Sequence, residues 1–303
     1  RVDALPTNDG RTAAKTMRDL ERLAKGARPF FVACGFAKPH MPFYSPAPAW
    51  KPYPIKEIEL AEYRERPLGI PFAARRINEQ RGYVPMNHKL SRKLKYNSDL
   101  YHRHMRQGYY ASITHADDLL GRLLDKLEEL RISDNTYVVV IGDHGWLLGE
   151  HNEWAKNTLL YEALRTAMWV AGPGVVQNKS ADTFVEFVDI YPTLCELVGI
   201  QITPSTINGK SFSKVLKSPS AEHRQHAYSR FEKGDAITTD KFQYVLWKLD
   251  DGTEEALLVD RHKDPHAKEN ISGKPVYRDT ESELRDEVLK RIAEAKNVQL
   301  SSP

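Results

Sequence analysis

Three short apolar runs most constrain the fold of this 303-residue chain. They are Pro29–Phe36 (PFFVACGF), Thr136–Ile141 (TYVVVI) and Thr166–Ala171 (TAMWVA). Unbroken runs of this length suit strands buried on both faces. Helical patterns alternate with them. Residues 8–26 offer caps at Asn8 and Asp9, apolar positions Ala13, Met17, Leu20 and Ala24, and a terminating Gly26. Residues 108–130 place Tyr109, Ile113, Ala116, Leu120, Leu123 and Leu127 on one face. Asp189 caps a helix running through Val198, with Pro192 in its first turn. Helix–strand–helix–strand order predicts an α/β fold with a mostly parallel sheet flanked by helices.

The intervening segments differ in kind. Prolines at 39, 42, 46, 48, 52 and 54 make residues 38–54 a stiff loop. Residues 55–106 are charged and poorly periodic and read as a long surface excursion. After about residue 218 the pattern shifts to short strands, Ala227–Phe231, Ala236–Thr239, Phe242–Leu249 and Ala256–Val259, joined by turns such as Asp250-Asp251-Gly252. An amphipathic helix, Glu281–Val298, closes the chain. The expected organisation is a catalytic-type α/β region over 1–218 and a small antiparallel-sheet-and-helix subdomain over 219–303.

Composition excludes several classes. Charged residues make up 28% and the net charge is +3, which argues against disorder and gives no case for nucleic-acid binding. No stretch reaches the roughly 18 apolar residues of a membrane span. The two cysteines, Cys34 and Cys195, rule out a disulfide framework and read as two separate buried thiols.

Chemistry concentrates in three places. Strand Val138–Ile141 runs into Gly142-Asp143-His144-Gly145-Trp146. Functional groups cluster beyond the carboxyl ends of strands, and Asp143 supplies hard oxygens for a divalent cation. A capping Asp and a surface His would fit the same residues. Lys156, in Gly149-Glu150-His151-Asn152-Glu153-Trp154-Ala155-Lys156, can hold an oxyanion or support a leaving oxygen, although a lone lysine is more often a solvated charge. His40, in Lys38-Pro39-His40-Met41-Pro42-Phe43, suits proton transfer near neutral pH, or equally a hydrogen-bonded loop histidine.

Taken together, the Asp143–Lys156 stretch resembles the metal-and-lysine motif of type I sulfatases in the alkaline-phosphatase-like superfamily, closest to the iduronate-2-sulfatase branch. Asp-His-Gly-Trp, Gly-Glu-His and Glu-Trp-Ala-Lys occur there in this order. Phe30–Ala33 with Lys38–Phe43, the helix from Tyr109, Asp189–Leu194 and Asp264-Pro265-His266 are similar to the same branch. The resemblance covers the chain apart from residues 55–106.

The resemblance implies an alkaline-phosphatase-like fold and hydrolysis of a sulfate monoester, on a sulfated sugar or polysaccharide. It implies Asp143 and His144 as ligands of one Ca²⁺ (Mg²⁺ is an alternative), with Asp143 the better donor. It implies His40 and Lys156 as catalytic residues, and Lys38, Trp146 and His151 as substrate contacts. The compartment it implies is secreted, periplasmic or lysosomal-like. The family's formylglycine arises in a Cys/Ser-x-Pro-x-Arg sequence. Cys34 is followed by Gly-Phe-Ala-Lys and Cys195 by Glu-Leu-Val-Gly, so neither matches. The paired N-terminal aspartates also lack a counterpart. The expectation is therefore a chain whose N-terminal portion, with formylglycine, lies elsewhere and is its natural partner. Two alternatives are a phosphate or phosphonate ester hydrolase of the same superfamily and a non-catalytic, glycan-binding or partner-dependent fragment.

Overall fold

The computed structural model describes residues 7–74, 95–203 and 207–296. These fall into two compact units. The first lies within Arg1–Glu62, Asn78–Tyr137 and Leu148–Glu150, and the second within Tyr63–Ile77, Val138–Leu147 and His151–Pro303.

The first unit is built on two helices. Helix α1 (Asn8–Leu23) starts at Thr7, whose hydroxyl accepts from the Gly10 N–H. Helix α2 (Asp99–Glu129) is capped by Ser98, which accepts from the Tyr101 N–H. Ala13 and Leu119 bury against each other, with Phe36 packed beside them. Helix α2 begins nine residues before the expected start, so residues 99–106 are helix and not surface excursion. Its first turns bury Tyr101 and the polar His102, and that polar burial breaks the apolar period that marks the rest of the helix. Residues 75–94 of the same expected excursion lie outside the described residues.

The segment Pro29–Phe36, expected as a buried strand, pairs with no strand among the described residues, and Phe31 is 82% exposed. Cys34 is half-buried and Cys195 buried, both as free thiols.

The second unit holds strands β1 (Val138–Ile141), β2 (Leu147–Leu148, partly in the first unit), β3 (Trp154–Ala155) and β4 (Met168–Ala171). Strands β1 and β4 pair antiparallel, Val138 opposite Ala171 and Ile141 opposite Met168. The expected parallel sheet is not seen among the described residues. A parallel pair needs a long crossover, usually a helix. Between β1 and β4 the only α-helix is the one-turn α3 (Tyr161–Leu164), and the chain doubles back instead.

Helix α4 (Ile190–Leu197) and the short α5 (Ser213–Lys217) follow. Then come β5 (His226–Phe231), β6 (Gly234–Thr239), β7 (Phe242–Lys248) and β8 (Glu254–Asp260), an antiparallel meander in the order β5-β6-β7-β8. Helix α6 (Arg278–Lys296) ends the described chain. The four strands and the closing helix fall where the sequence pattern placed short strands and an amphipathic helix, and they share the second unit with residues that precede 219; Asn297 and Val298 lie outside the described residues.

Side chains of a strand alternate between faces, and the meander buries both. Val245, Trp247, Leu257 and Val259 pack on Leu147, Leu159, Leu160 and Ala163. Tyr244, Leu246 and Leu258 pack on Leu284 and Val288 of α6. The first of these cores seats the segment that carries the candidate site. Among the described residues, no helix is long and apolar enough to cross a membrane.

Candidate active site

Beyond β1 the backbone turns sharply, and α3 and the residues after it hold it. The Gly142 N–H donates to the Ala167 carbonyl at 3.1 Å, and the Gly145 N–H to the Ala163 carbonyl at 2.9 Å. Glycine at 145 is obligatory for this approach. A Cβ there would stand 1.9 Å from the Glu162 carbonyl oxygen and 2.3 Å from that of Arg165.

This turn presents Asp143 with its side chain 86% exposed. His144 Nδ1 donates to the Gly145 carbonyl at 2.8 Å, because a carbonyl can only accept. In the neutral ring that leaves the lone pair on Nε2, which lies 3.5 Å from Asp143 Oδ1. The imidazole stacks on the Trp146 indole, with centroids 5.9 Å apart and planes at 28°. The Lys156 ammonium lies 5.1 Å from the Trp146 ring centroid. Asp143, His144, Trp146 and Lys156 therefore form one constellation within the second unit.

His151, expected in the pocket wall, is placed differently. It is 1% exposed, its Nε2 lies 3.1 Å from Glu162 Oε1, and its ring meets Tyr63 edge-on at 6.2 Å. Burial raises the Glu162 carboxyl, but the hydrogen bond and charge of His151 outweigh it and hold the group below its ordinary value.

The two expected residues of the first unit sit in a tightly bonded loop. The Asp9 carboxylate accepts from the Ala37 and Lys38 N–H groups at 3.0 and 2.9 Å. The Lys38 ammonium donates to the His40 and Pro42 carbonyls at 2.9 and 2.8 Å, so it braces its own loop. Burial lowers its pKa against the opposing charge of Asp9. His40 Nδ1 donates to the Met41 carbonyl at 2.6 Å. Beside this loop the sequence reading missed His115, buried on α2, with Nε2 3.1 Å from the Thr7 hydroxyl.

A calcium ion takes six to eight oxygen ligands. The constellation offers one carboxylate, Asp143, and one imidazole, a poor donor to so hard an ion. No group of three or more His, Cys, Asp or Glu side chains that could hold a metal occurs among the described residues. Asp143 is suited to be one ligand, but these residues alone do not fit calcium.

A sequence model of the Sulfatase family matches residues 4–200. The chain belongs to the sulfatase family. A second model, the C-terminal region of N-sulphoglucosamine sulphohydrolase, matches residues 149–294. Among curated relatives, a sulfatase of Formosa agariphila is 33% identical over 250 residues, 82% of this chain and 47% of its own length. The iduronate 2-sulfatase of Homo sapiens is 29% identical over 246 residues, 67% of this chain and 43% of its own. The chain thus spans less than half of these two sulfatases.

Two solved structures share the fold. One, in complex with its substrate D-glucosamine-2-N,6-O-disulfate, has a TM-score of 0.81 at 21% identity, covering 95% of this chain and 70% of that one. The other, the phosphonate monoester hydrolase of Silicibacter pomeroyi, has a TM-score of 0.82 at 20% identity, covering 97% and 61%. The alkaline-phosphatase-like fold expected from the sequence is supported at this level, with no parallel sheet among the described residues.

Proposed function

We propose that this chain carries part of the site of a sulfuric ester hydrolase acting on a sulfate monoester of a sugar or polysaccharide. The observation that carries the reading is the Lys156 ammonium held over Trp146 beside His144 and Asp143, in a chain of the sulfatase family. A fixed cation facing an anionic ester binds its sulfuryl oxygens and stabilises charge that grows in the transition state. The indole restrains that cation through a contact of about 0.5–1 kcal/mol at such exposure. His40, with one ring nitrogen committed to the Met41 carbonyl, is proposed as the acid toward the leaving alcohol. Lys38 remains a proposed substrate contact through the resemblance of its loop.

The nucleophile is proposed to be a formylglycine outside residues 1–303, because neither cysteine here stands in the required sequence. Asp143 is proposed as one ligand of a divalent cation whose remaining ligands lie elsewhere. The sugar preference follows from the iduronate 2-sulfatase relative and the disulfated glucosamine complex.

The phosphonate monoester hydrolase neighbour supports the competing reading, hydrolysis of a phosphonate or phosphate ester. Steady-state assays of the natural protein that carries this chain decide between them, using sulfated monosaccharides, an aryl sulfate and an aryl phosphonate. The proposal expects the highest kcat/KM on a sulfated sugar. A higher value on the phosphonate would reverse it.

A further inference from the structure

The loop that delivers Lys156 is locally unfavourable. His151, Asn152 and Ala155 have φ of 56°, 59° and 78°. Side chains disfavour this left-handed region, so the surroundings must impose it.

His151 is the tether. Its backbone N–H donates to the Tyr63 carbonyl at 3.3 Å, and its buried ring reaches Glu162 of α3 at 3.1 Å. A carboxylate can only accept, so Nε2 carries the proton in this bond. The remaining polar atoms of the pair, His151 Nδ1 and Glu162 Oε2, are buried without hydrogen-bond partners. The two side chains bind each other and little else polar. The same Glu162 backs the other half of the constellation, because its carbonyl oxygen occupies the space that a side chain at Gly145 would need.

We propose that Glu162 is a positioning residue. Its backbone abuts the Asp143–Gly145 turn and its side chain holds the Lys156 loop through His151, so one residue sets Lys156 against Trp146 and His144. The chemical consequence rests on the sulfate-ester reading; the geometric one does not. A pair kept only for stability could be exchanged for apolar residues at little cost, whereas a positioning pair could not without moving Lys156.

The test is acylation of lysines by an amine-reactive ester, read peptide by peptide by mass spectrometry in the natural protein, Glu162→Ala and Glu162→Gln. In Glu162→Ala the Lys156 rate relative to Lys248 should rise about two- to fivefold, the factor a cation–π contact of this size confers. Glu162→Gln keeps an oxygen for His151 and should return Lys156 close to its natural rate. A Lys156 rate unchanged in Glu162→Ala, with only the melting temperature lowered, overturns the proposal. If Glu162→Ala does not fold, His151→Gln takes its place with the same reading.

Sulfate-ester turnover on the same samples should show kcat down about ten- to a hundredfold in Glu162→Ala, with KM little changed. If the natural protein hydrolyses no sulfate ester, the functional reading fails while the labelling still decides the positioning role.

Discussion

Arg224 grips Asp189 at two points, with Nε donating to Oδ2 at 2.7 Å and Nη2 to Oδ1 at 2.5 Å. Asp189 is fully buried and also accepts from the Lys210 and Glu186 N–H groups, with His223 Nε2 3.1 Å away. Its neighbour Glu186 reaches Arg291 of α6 at 2.8 Å and the Tyr228 N–H of β5 at 2.9 Å. The network ties α4, β5 and α6 together.

Removing one partner of a buried ion pair leaves an uncompensated charge. Arg224→Ala should therefore destabilise the protein by about 3–5 kcal/mol, read from urea denaturation at pH 7. A loss below about 1 kcal/mol would mean that water reaches Asp189 in the variant.

The same pair sets an acid limit. Burial raises the Asp189 carboxyl, but Arg224 and the backbone donors outweigh it and hold it below its ordinary 3.8. The folded protein then releases this proton more readily than the unfolded chain. The stabilisation is complete above the ordinary value and is lost as pH falls through the folded one. The urea midpoint should drop below about pH 4, and less steeply in Arg224→Ala, where only the backbone donors and His223 still oppose burial.

His115 adds a second pH dependence nearer neutrality. Burial lowers its pKa below the ordinary 6.5, against the opposing charges of Asp9 and Asp118. The unfolded chain takes up this proton first, so stability is complete above 6.5 and declines as pH falls below it. His104 and His226 are shifted in the same direction. His115→Gln should flatten, without abolishing, the fall in urea midpoint between about pH 7 and 5. An unchanged slope would assign the effect to the other two.

Two glycines should respond oppositely to alanine. At Gly145 the new methyl meets the Glu162 and Arg165 carbonyls, so the backbone must move, at a cost of about 1–3 kcal/mol or more. At Gly121, within α2, nothing lies within 4 Å, and alanine should stabilise by about 0.4–1 kcal/mol. Thermal melts of the two variants give the comparison, and a Gly145→Ala protein as stable as the natural one would contradict the close approach.

Under the proposed function, Lys156→Ala should lower kcat/KM on a sulfate ester by about 10²–10³, as removal of one oxyanion donor does elsewhere. Trp146→Ala, which removes the indole contact and keeps the ammonium, should cost only about two- to fivefold. Equal losses in the two variants would show that the indole does more than restrain the lysine.

What the sequence made legible follows from where packing is local. The strands of the meander were readable because each alternates between two cores; Tyr244 and Leu246 face one, Val245 and Trp247 the other. The turn after β1 was readable because an acid, an imidazole and two glycines end an apolar run. Strand direction was not, because Val138–Ile141 looks the same whether its neighbour runs parallel or antiparallel. Nor was the use of Asp189, read as a helix cap, since Arg224 lies 35 residues away. Glu162 gave no signal, as its role depends on His151 folding back across eleven residues.

The meander has a consequence for the order of assembly. β5, β6, β7 and β8 each pair with the next in the chain, across connections as short as Glu232-Lys233. Bringing such strands together costs little loop-closure entropy, and local topology folds fast. The 226–260 segment is therefore expected to form early, as a template onto which Leu147, Leu159 and Leu160 dock, and pulse-labelling hydrogen exchange during refolding should protect its amides first. On that order the lysine loop, with its left-handed residues, is expected to take its shape last, against a surface already in place.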